Sequence, residues 1–145
     1  GKIQFENTDI RNINVNALSD FRNQKWSLIF QNLGLFEDLD VRENLSFYTE
    51  FKNIDMLKAL GLDSKLDQKC DSLSYGERQR LAIIRALSKP FDFLIMDEPF
   101  SHLNKDLKKE ALNLILAEAK KQNAGLILFE LDPDFKNDFD KILKL

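Results

Sequence analysis

The chain has 145 residues, of which 43% are hydrophobic and 31% charged, and its formal net charge is −3. This length supports one domain with one core, and the composition is typical of a globular protein. The 21 basic and 24 acidic residues are mixed along the chain, so no basic block favours a nucleic-acid-binding surface. No run approaches the ~20 apolar residues of a membrane-spanning helix, and no signal peptide is recognisable.

The first third of the chain predicts two strands and one helix. Lys2–Phe5 alternates between polar and apolar residues and predicts a short strand, and Asn7-Thr8-Asp9 predicts a turn after it. Lys25–Phe30 contains Trp, Leu, Ile and Phe in a run and predicts a strand that ends at Gln31. Val41–Phe51 has apolar residues at helical spacing and predicts an amphipathic helix.

The middle of the chain predicts two further helices. Met56–Leu60 predicts a short helix, for which Gly61 is a suitable C-terminal cap. A longer helix is predicted to start at Ser74 and to run to about Ser88, because Pro90 cannot continue it. Cys70, the single cysteine, cannot form an internal disulfide, and we expect an unreactive thiol in a reducing compartment.

The last third predicts strands that alternate with a helix. Phe93–Met96 is a continuous apolar run, which is typical of a strand buried on both faces. Lys105–Lys121 predicts a strongly amphipathic helix, and Gly125–Phe129 and Lys141–Leu145 predict two more strands.

This alternation implies an α/β fold with a mostly parallel sheet. The helix-rich stretch from 32 to 88 separates the first strands from the later ones. We therefore predict a core formed by residues 1–31 and 89–145, with residues 32–88 inserted as a helical subdomain.

The run Ser74-Tyr75-Gly76-Glu77 has two interpretations. Ser and Glu three residues apart form a capping box, which would account for both residue types. The same helix start exposes amides that attract phosphate, and Gly76 would let a ligand approach the backbone. Taken with the carboxylates of the next motif, the run favours phosphate binding.

Asp97 and Glu98 follow the buried strand Phe93–Met96 directly. Asp97 could hold Mg²⁺, and Glu98 could orient or deprotonate an attacking water; a simple acidic turn is the alternative. Gln31 ends another apolar strand and could contact the same cation. His102, the only histidine, is interpreted as a loop residue, since no second His or Cys stands at the spacing of a zinc site.

In this order the motifs resemble those of the ATP-binding cassette (ABC) ATPase family, which has a P-loop NTPase, RecA-like core. Leu73–Glu77 resembles the family signature, Leu-Ser-Gly-Gly-Gln, and Leu94–Glu98 resembles the Walker B strand. Ser101–Asn104 matches the D-loop, Gln31 stands at the Q-loop position, and residues 35–45 resemble the stretch after the Q-loop.

The resemblance implies ATP and Mg²⁺ as cofactors, with Glu98 as the catalytic base and Asp97 and Gln31 at the metal. It implies a dimer, most simply of two identical subunits, in which each signature faces the nucleotide of the other subunit. The residues that it places at the nucleotide or across the dimer are Ser74, Tyr75, Gly76, Glu77 and Ser101.

The chain departs from the family pattern at several positions. No Gly-x-x-x-x-Gly-Lys-Ser/Thr run, the Walker A motif, occurs in it. Gly1–Phe5 resembles the strand that follows that motif, so we expect the first part of the core to be missing and the chain alone not to bind ATP. Tyr75 replaces a signature glycine, Asn104 the D-loop aspartate, and Leu131 the histidine expected at the γ-phosphate.

The resulting hypothesis is the cytoplasmic ATP-binding subunit of an ABC transporter, working with a membrane permease and without nucleic acid. A non-hydrolysing regulatory module and a soluble ABC ATPase without a permease remain alternatives. In this family the Walker A strand separates Gly125–Phe129 from Lys141–Leu145. We therefore expect both strands to lack a neighbour. Lys141–Leu145 closing up against the apolar edge of Gly125–Phe129 is one outcome; the outcome that we expect is self-association of the chain through that edge.

Overall fold

The computed structural model describes residues 4–5, 8–47, 54–130 and 139–141. Its strands are β1 (Gln4–Phe5), β2 (Thr8–Asp9), β3 (Trp26–Ile29), β4 (Phe93–Asp97) and β5 (Gly125–Phe129). Its α-helices are α1 (Val15–Lys25), α2 (Val41–Ser46), α3 (Ile54–Ala59), α4 (Tyr75–Leu87) and α5 (Lys105–Gln122).

The main sheet is parallel and has the order β3-β4-β5. Trp26 is opposite Phe93, and Phe93 is opposite Gly125, so the three strands start level and end at the same edge. The helices α2 to α4 connect β3 to β4, and α5 connects β4 to β5. The predicted α/β fold with a parallel sheet is confirmed.

One face of this sheet packs against α4 and α5. Leu94 and Met96 are fully buried there, together with Ile83 and Ile84 of α4 and Ile115 of α5. Burying such side chains contributes roughly 1.5–3 kcal/mol each. Ser27, also buried, donates a hydrogen bond of 2.7 Å to the Ala86 carbonyl and fixes α4 on β3.

The other face of the sheet is incompletely covered. Phe93 and Ile95 of β4 are only half-buried, so the prediction of a strand buried on both faces is wrong for this strand. On β5, Ile127 and Phe129 are 42% and 47% exposed. The apolar run of β4 therefore reflects a central position in the sheet, while α4 and α5 cover one face only.

The N-terminal elements differ from the prediction. The helix α1 was not predicted, because its exposed positions carry mixed polar residues and it lacks a clear apolar stripe. Asn14 caps it by accepting a hydrogen bond from the Ala17 amide. The strand predicted from Lys25 begins at Trp26, and Thr8 and Asp9 pair with β1 instead of forming a turn.

Three other predicted elements differ in their bounds or include residues that the structure does not describe. The helix predicted over Met56–Leu60 is α3, Ile54–Ala59. The helix predicted over Val41–Phe51 ends at Ser46, and residues 48–53 lie outside the described residues. Gly61 has a φ of 64°, the left-handed conformation expected of a C-terminal cap. Lys141 is in no regular element, and residues 142–145 of the last predicted strand are not described.

Candidate functional site

The parallel strands β3 and β4 end at the same edge of the sheet, and polar side chains follow both. Gln31 comes two residues after the end of β3, Asp97 ends β4, and Glu98 follows it. Asp97 and Gln31 are exposed, while Glu98 is half-buried. The carboxylates of Asp97 and Glu98 have no hydrogen bond or ion pair with any residue in the described ranges. Carboxylate and amide oxygens are ligands that suit Mg²⁺.

A hollow of about 260 Å³ lies beside Asp97 on the incompletely covered face of the sheet. Its walls are mostly apolar, from Ile29, Phe30, Ile95 and Phe129, with Asp97 as the charged group. Asp97 therefore borders both solvent and an apolar recess. Among the described residues, no group of three or more His, Cys, Asp or Glu side chains could hold a metal by itself. A cation at Asp97 would therefore need ligands other than these four residue types, such as the Gln31 amide oxygen or water.

Glu98 has an unusual backbone conformation. Its φ is +45°, a region that non-glycine residues rarely adopt and that costs of order 1–3 kcal/mol. Its amide donates to the Phe129 carbonyl at 2.9 Å, and its carbonyl accepts from Gln79 Nε2 at 3.1 Å. The strand-to-loop turn is thus held from both sides in a conformation that changes the direction of the chain immediately after Asp97.

The helix α4 begins with the predicted capping box. Ser74 Oγ accepts from the Glu77 amide at 3.3 Å, and Glu77 Oε2 accepts from the Ser74 amide at 2.8 Å. The Ser74 amide and then Lys65, whose Nζ lies 3.0 Å from Glu77 Oε1, lower the pKa of Glu77 from 4.5 to about 2. The box uses the Ser74 hydroxyl and the Glu77 amide, which leaves the amides of Tyr75 and Gly76 at the exposed start of the helix.

Tyr75 links three of the predicted motifs. Its hydroxyl donates to the Gln31 carbonyl at 2.9 Å, and its ring lies edge-on to His102 with centroids 4.3 Å apart. The Arg78 guanidinium lies 5.6 Å from the centre of the same ring. The folded chain therefore brings the residue after β3, the start of α4 and the loop after β4 into contact, although they are far apart in sequence.

Ser101 and Asn104 lie in the loop between β4 and α5. Ser101 Oγ accepts from Gln79 Nε2 at 3.3 Å. Asn104 is the N-cap of α5, and its Oδ1 accepts from the Leu107 amide at 2.9 Å. Because an aspartate would cap the helix in the same way, Asn104 keeps a structural function of the residue it replaces.

Two buried polar residues near the site were not predicted. Asn44 is fully buried, and its Nδ2 donates to the carbonyls of Phe36, Leu39 and Asp40 while its Oδ1 accepts from the Phe36 amide. It holds the loop that follows Gln31. The second residue, Gln79, lies on the buried stripe of α4 with Ala82, Ile83 and Ala86. The sequence contained one indication of its role: a polar residue at a position where the helical periodicity predicts an apolar one.

These features define an α/β protein with carboxylates at the edge of its parallel sheet and a capped helix start beside them. A family model described as ABC transporter matches residues 1–101. The chain therefore belongs to the ABC transporter family, as the sequence motifs predicted.

Curated relatives support the same assignment. The lipoprotein-releasing system ATP-binding protein LolD of Buchnera aphidicola is 32% identical over 93% of this chain and 63% of its own length. The trimethylamine N-oxide transport system ATP-binding protein TmoW of Pelagibacter ubique is 30% identical over the whole chain and 44% of its own length. The chain thus spans about half to two thirds of these two relatives.

Solved structures show the fold independently. A dimeric ATP-binding cassette in a post-hydrolysis state, bound to ADP and Pi, superposes with a TM-score of 0.78 at 21% identity. The match covers 91% of this chain and 63% of that one. No helix within the described residues is both long and apolar enough to cross a membrane.

Proposed function

We propose that this chain is part of the ATP-binding subunit of an ABC transporter, in which Mg-ATP binding and hydrolysis are coupled to a membrane permease. The observation that supports it best is the pair of carboxylates at the end of β4, Asp97 and Glu98, which have no partner among the described residues, with Glu98 held in a left-handed conformation. The names of the relatives, which describe ATP-binding proteins of transport systems, favour the same function.

The site residues fit a magnesium nucleotide. Asp97 and Gln31 would hold Mg²⁺, because both offer exposed oxygen ligands at the same edge of the sheet. Bound Mg²⁺ would neutralise charge on the phosphates. Glu98 would accept a proton from the attacking water or orient it, since its carboxylate is free of other partners among the described residues.

The start of α4 would contact the nucleotide of a second subunit. Ser74, Tyr75, Gly76 and Glu77 form this start, and the amides of Tyr75 and Gly76 stay outside the capping box. Ser101 would lie across the dimer interface. The subunit would be cytoplasmic and bound to its permease, and residues 32–88 would act as a helical subdomain between two parts of the core.

Replacing Glu98 by Gln tests this proposal. Residues 1–145 contain no Walker A motif, so the variant is made in a subunit in which a Walker A segment precedes them. The 145 residues alone are the baseline, and they should not bind Mg-ATP in the micromolar range. Glu98→Gln should lower the hydrolysis rate by about 10²-fold or more and leave ATP binding intact, since the amide keeps the shape but cannot accept the proton.

An unchanged rate in this variant would show that Glu98 is not the base. A parent subunit that folds and binds ATP without any turnover would instead favour the non-hydrolysing regulatory module.

A further inference from the structure

Both polar atoms of the Gln79 side-chain amide are hydrogen-bonded to one short turn, residues 98–102. Its side chain is 2% exposed, and its Nε2 donates to the Glu98 carbonyl at 3.1 Å and to Ser101 Oγ at 3.3 Å. Its Oε1 accepts from the His102 amide at 3.1 Å. A buried amide is costly unless it is hydrogen-bonded, so these three bonds determine how the side chain is placed.

The turn that Gln79 holds is the one that presents the carboxylates. Glu98 has a φ of +45°, and its own amide is bound to the Phe129 carbonyl at 2.9 Å. The carbonyl of Glu98 accepts from the Ser101 amide at 3.3 Å within the turn and from Gln79 at 3.1 Å, and Gln79 is the donor that comes from α4. A strained conformation persists only where its surroundings fix it, and here β5 and α4 do so together.

The same region of α4 lies against this turn. A Cβ on Gly76 would come within 3.0 Å of the His102 carbonyl, and the ring of Tyr75 packs on His102. Gln79, one helical turn after Gly76, fixes the distance between the helix start and the turn. Movement of one would be transmitted to the other through rigid, hydrogen-bonded groups.

We propose that Gln79 is a positioning residue, which sets the directions of Glu98 and Ser101 relative to the start of α4. The inference deepens the proposed function and rests on it for its catalytic meaning. An apolar residue of similar volume would preserve the packing of α4. It would remove the donor from α4 to the Glu98 carbonyl, which keeps only the Ser101 amide, and the acceptor of the His102 amide.

The test compares Gln79→Leu with Gln79→Glu in the 145-residue chain. In Gln79→Leu, the amide of His102 should exchange with solvent at least tenfold faster, and the ¹³C carbonyl shift of Glu98 should change. Gln79→Glu keeps an acceptor for His102 and loses the donor to Glu98. It should retain protection of His102 within about threefold while the Glu98 carbonyl still shifts.

Gln122 provides a matched control at the other end of β4. Its Oε1 accepts from the Phe91 amide at 2.8 Å, so Gln122→Leu removes the same kind of bond away from the site. This variant should speed exchange at Phe91 and leave residues 98–102 unchanged. If Gln79→Leu also leaves residues 98–102 unchanged, the positioning role is overturned, whatever the chain does with nucleotide.

A kinetic measurement then separates positioning from packing. In a subunit that hydrolyses ATP, Gln79→Leu should lower kcat at least tenfold and change KM less than threefold, because Glu98 is misdirected while binding groups remain. An unchanged kcat, with the local shifts present, would overturn the catalytic meaning of the inference. A wild-type subunit without turnover would contradict the proposed function, and the exchange data alone would decide the inference.

Discussion

Gly76 lies at a position where a side chain would come too close to a neighbouring turn. It lies in the first turn of α4, where alanine would normally stabilise a helix by roughly 0.5–1 kcal/mol. A Cβ at this position would come within 3.0 Å of the His102 carbonyl, a backbone atom in a turn held by Gln79. The close contact between helix and turn therefore depends on glycine.

Gly76→Ala should consequently destabilise the chain by about 1 kcal/mol, because the steric cost of moving a fixed turn exceeds the gain in helix propensity. Denaturant unfolding measures the change. Asn113→Ala, at an exposed position of α5, is the control and should stabilise by a few tenths of a kcal/mol. A gain in stability for Gly76→Ala would show that the turn yields easily.

Asn104 illustrates a residue whose departure from the family pattern has a local explanation. Its side chain caps α5, and an aspartate could accept the same hydrogen bond. The substitution from the family's aspartate thus leaves this structural function in place and gives little support to a loss of activity.

Asn104→Asp should change the free energy of unfolding by less than about 0.5 kcal/mol, whereas Asn104→Ala should cost about 1 kcal/mol. Thermal and urea unfolding of the two variants give the comparison. A large loss in the aspartate variant would mean that Asn104 has a partner other than the Leu107 amide.

Helix α4 organises the site at the scale of secondary structure. Arg85 donates to the carbonyls of Leu33 and Gly34 in the loop after β3, and Arg80 donates to the Leu60 carbonyl at 2.8 Å. Together with Tyr75 and Gln79, these bonds connect one helix to three separate segments of the chain. The helix start is therefore positioned by side chains along its whole length, in addition to the capping box.

The capping box of α4 predicts how stability depends on pH. The pKa of Glu77 falls from 4.5 to about 2 on folding, chiefly through the Ser74 amide and then Lys65. The stabilisation is complete above pH 4.5 and is lost as pH falls from 4.5 through 2, because in this range Glu77 is protonated in the unfolded state and still ionised in the folded state.

Glu77→Gln keeps an acceptor for the Ser74 amide but loses the charge, so it should be less stable by about 1 kcal/mol at pH 7. The difference from the parent should disappear near pH 2. Unfolding measured from pH 7 down to 2 checks this. Lys65→Met is the control: it removes the ion pair, together with the bond from Lys65 to Gln68 Oε1, and leaves the capping box in place. A difference that stays constant with pH would exclude the proposed charge effect.

At the scale of the whole molecule, the two faces of the main sheet are covered to different extents. One face is buried by α4 and α5, while the other exposes Ile127 and Phe129 at the edge strand β5. Among the described residues, β5 pairs only with β4, so its other side offers backbone groups for pairing. An apolar edge of this kind favours association with another chain.

We expect the 145-residue chain to self-associate as its concentration rises, and Ile127→Lys to weaken this association at least tenfold. Val15→Lys, at a 79% exposed apolar position on α1, is the matched control and should have no effect. Light scattering over a dilution series measures both. A monomer at all concentrations would show that the edge is covered.

Local signals in the sequence predicted the elements that have strong patterns. The helix α4 with its Ser74 cap, the amphipathic α5, the strands β4 and β5 and the turn at Gly61 all follow from periodicity and capping chemistry. The short polar helix α1 has no such pattern, and none of its described side chains is buried. Propensity alone is too weak to specify such a segment.

The order of motifs along the chain was enough to predict the family, because motif spacing and residue type can be read without coordinates. Only the tertiary structure decided that Tyr75 reaches the Gln31 carbonyl, that Gln79 holds the Glu98 turn, and that one face of β4 stays half-covered. These contacts join residues 19 to 44 positions apart, and they depend on how α4 lies against the sheet. Sequence periodicity records which side of an element is buried, but it carries no information about the partner on the other side.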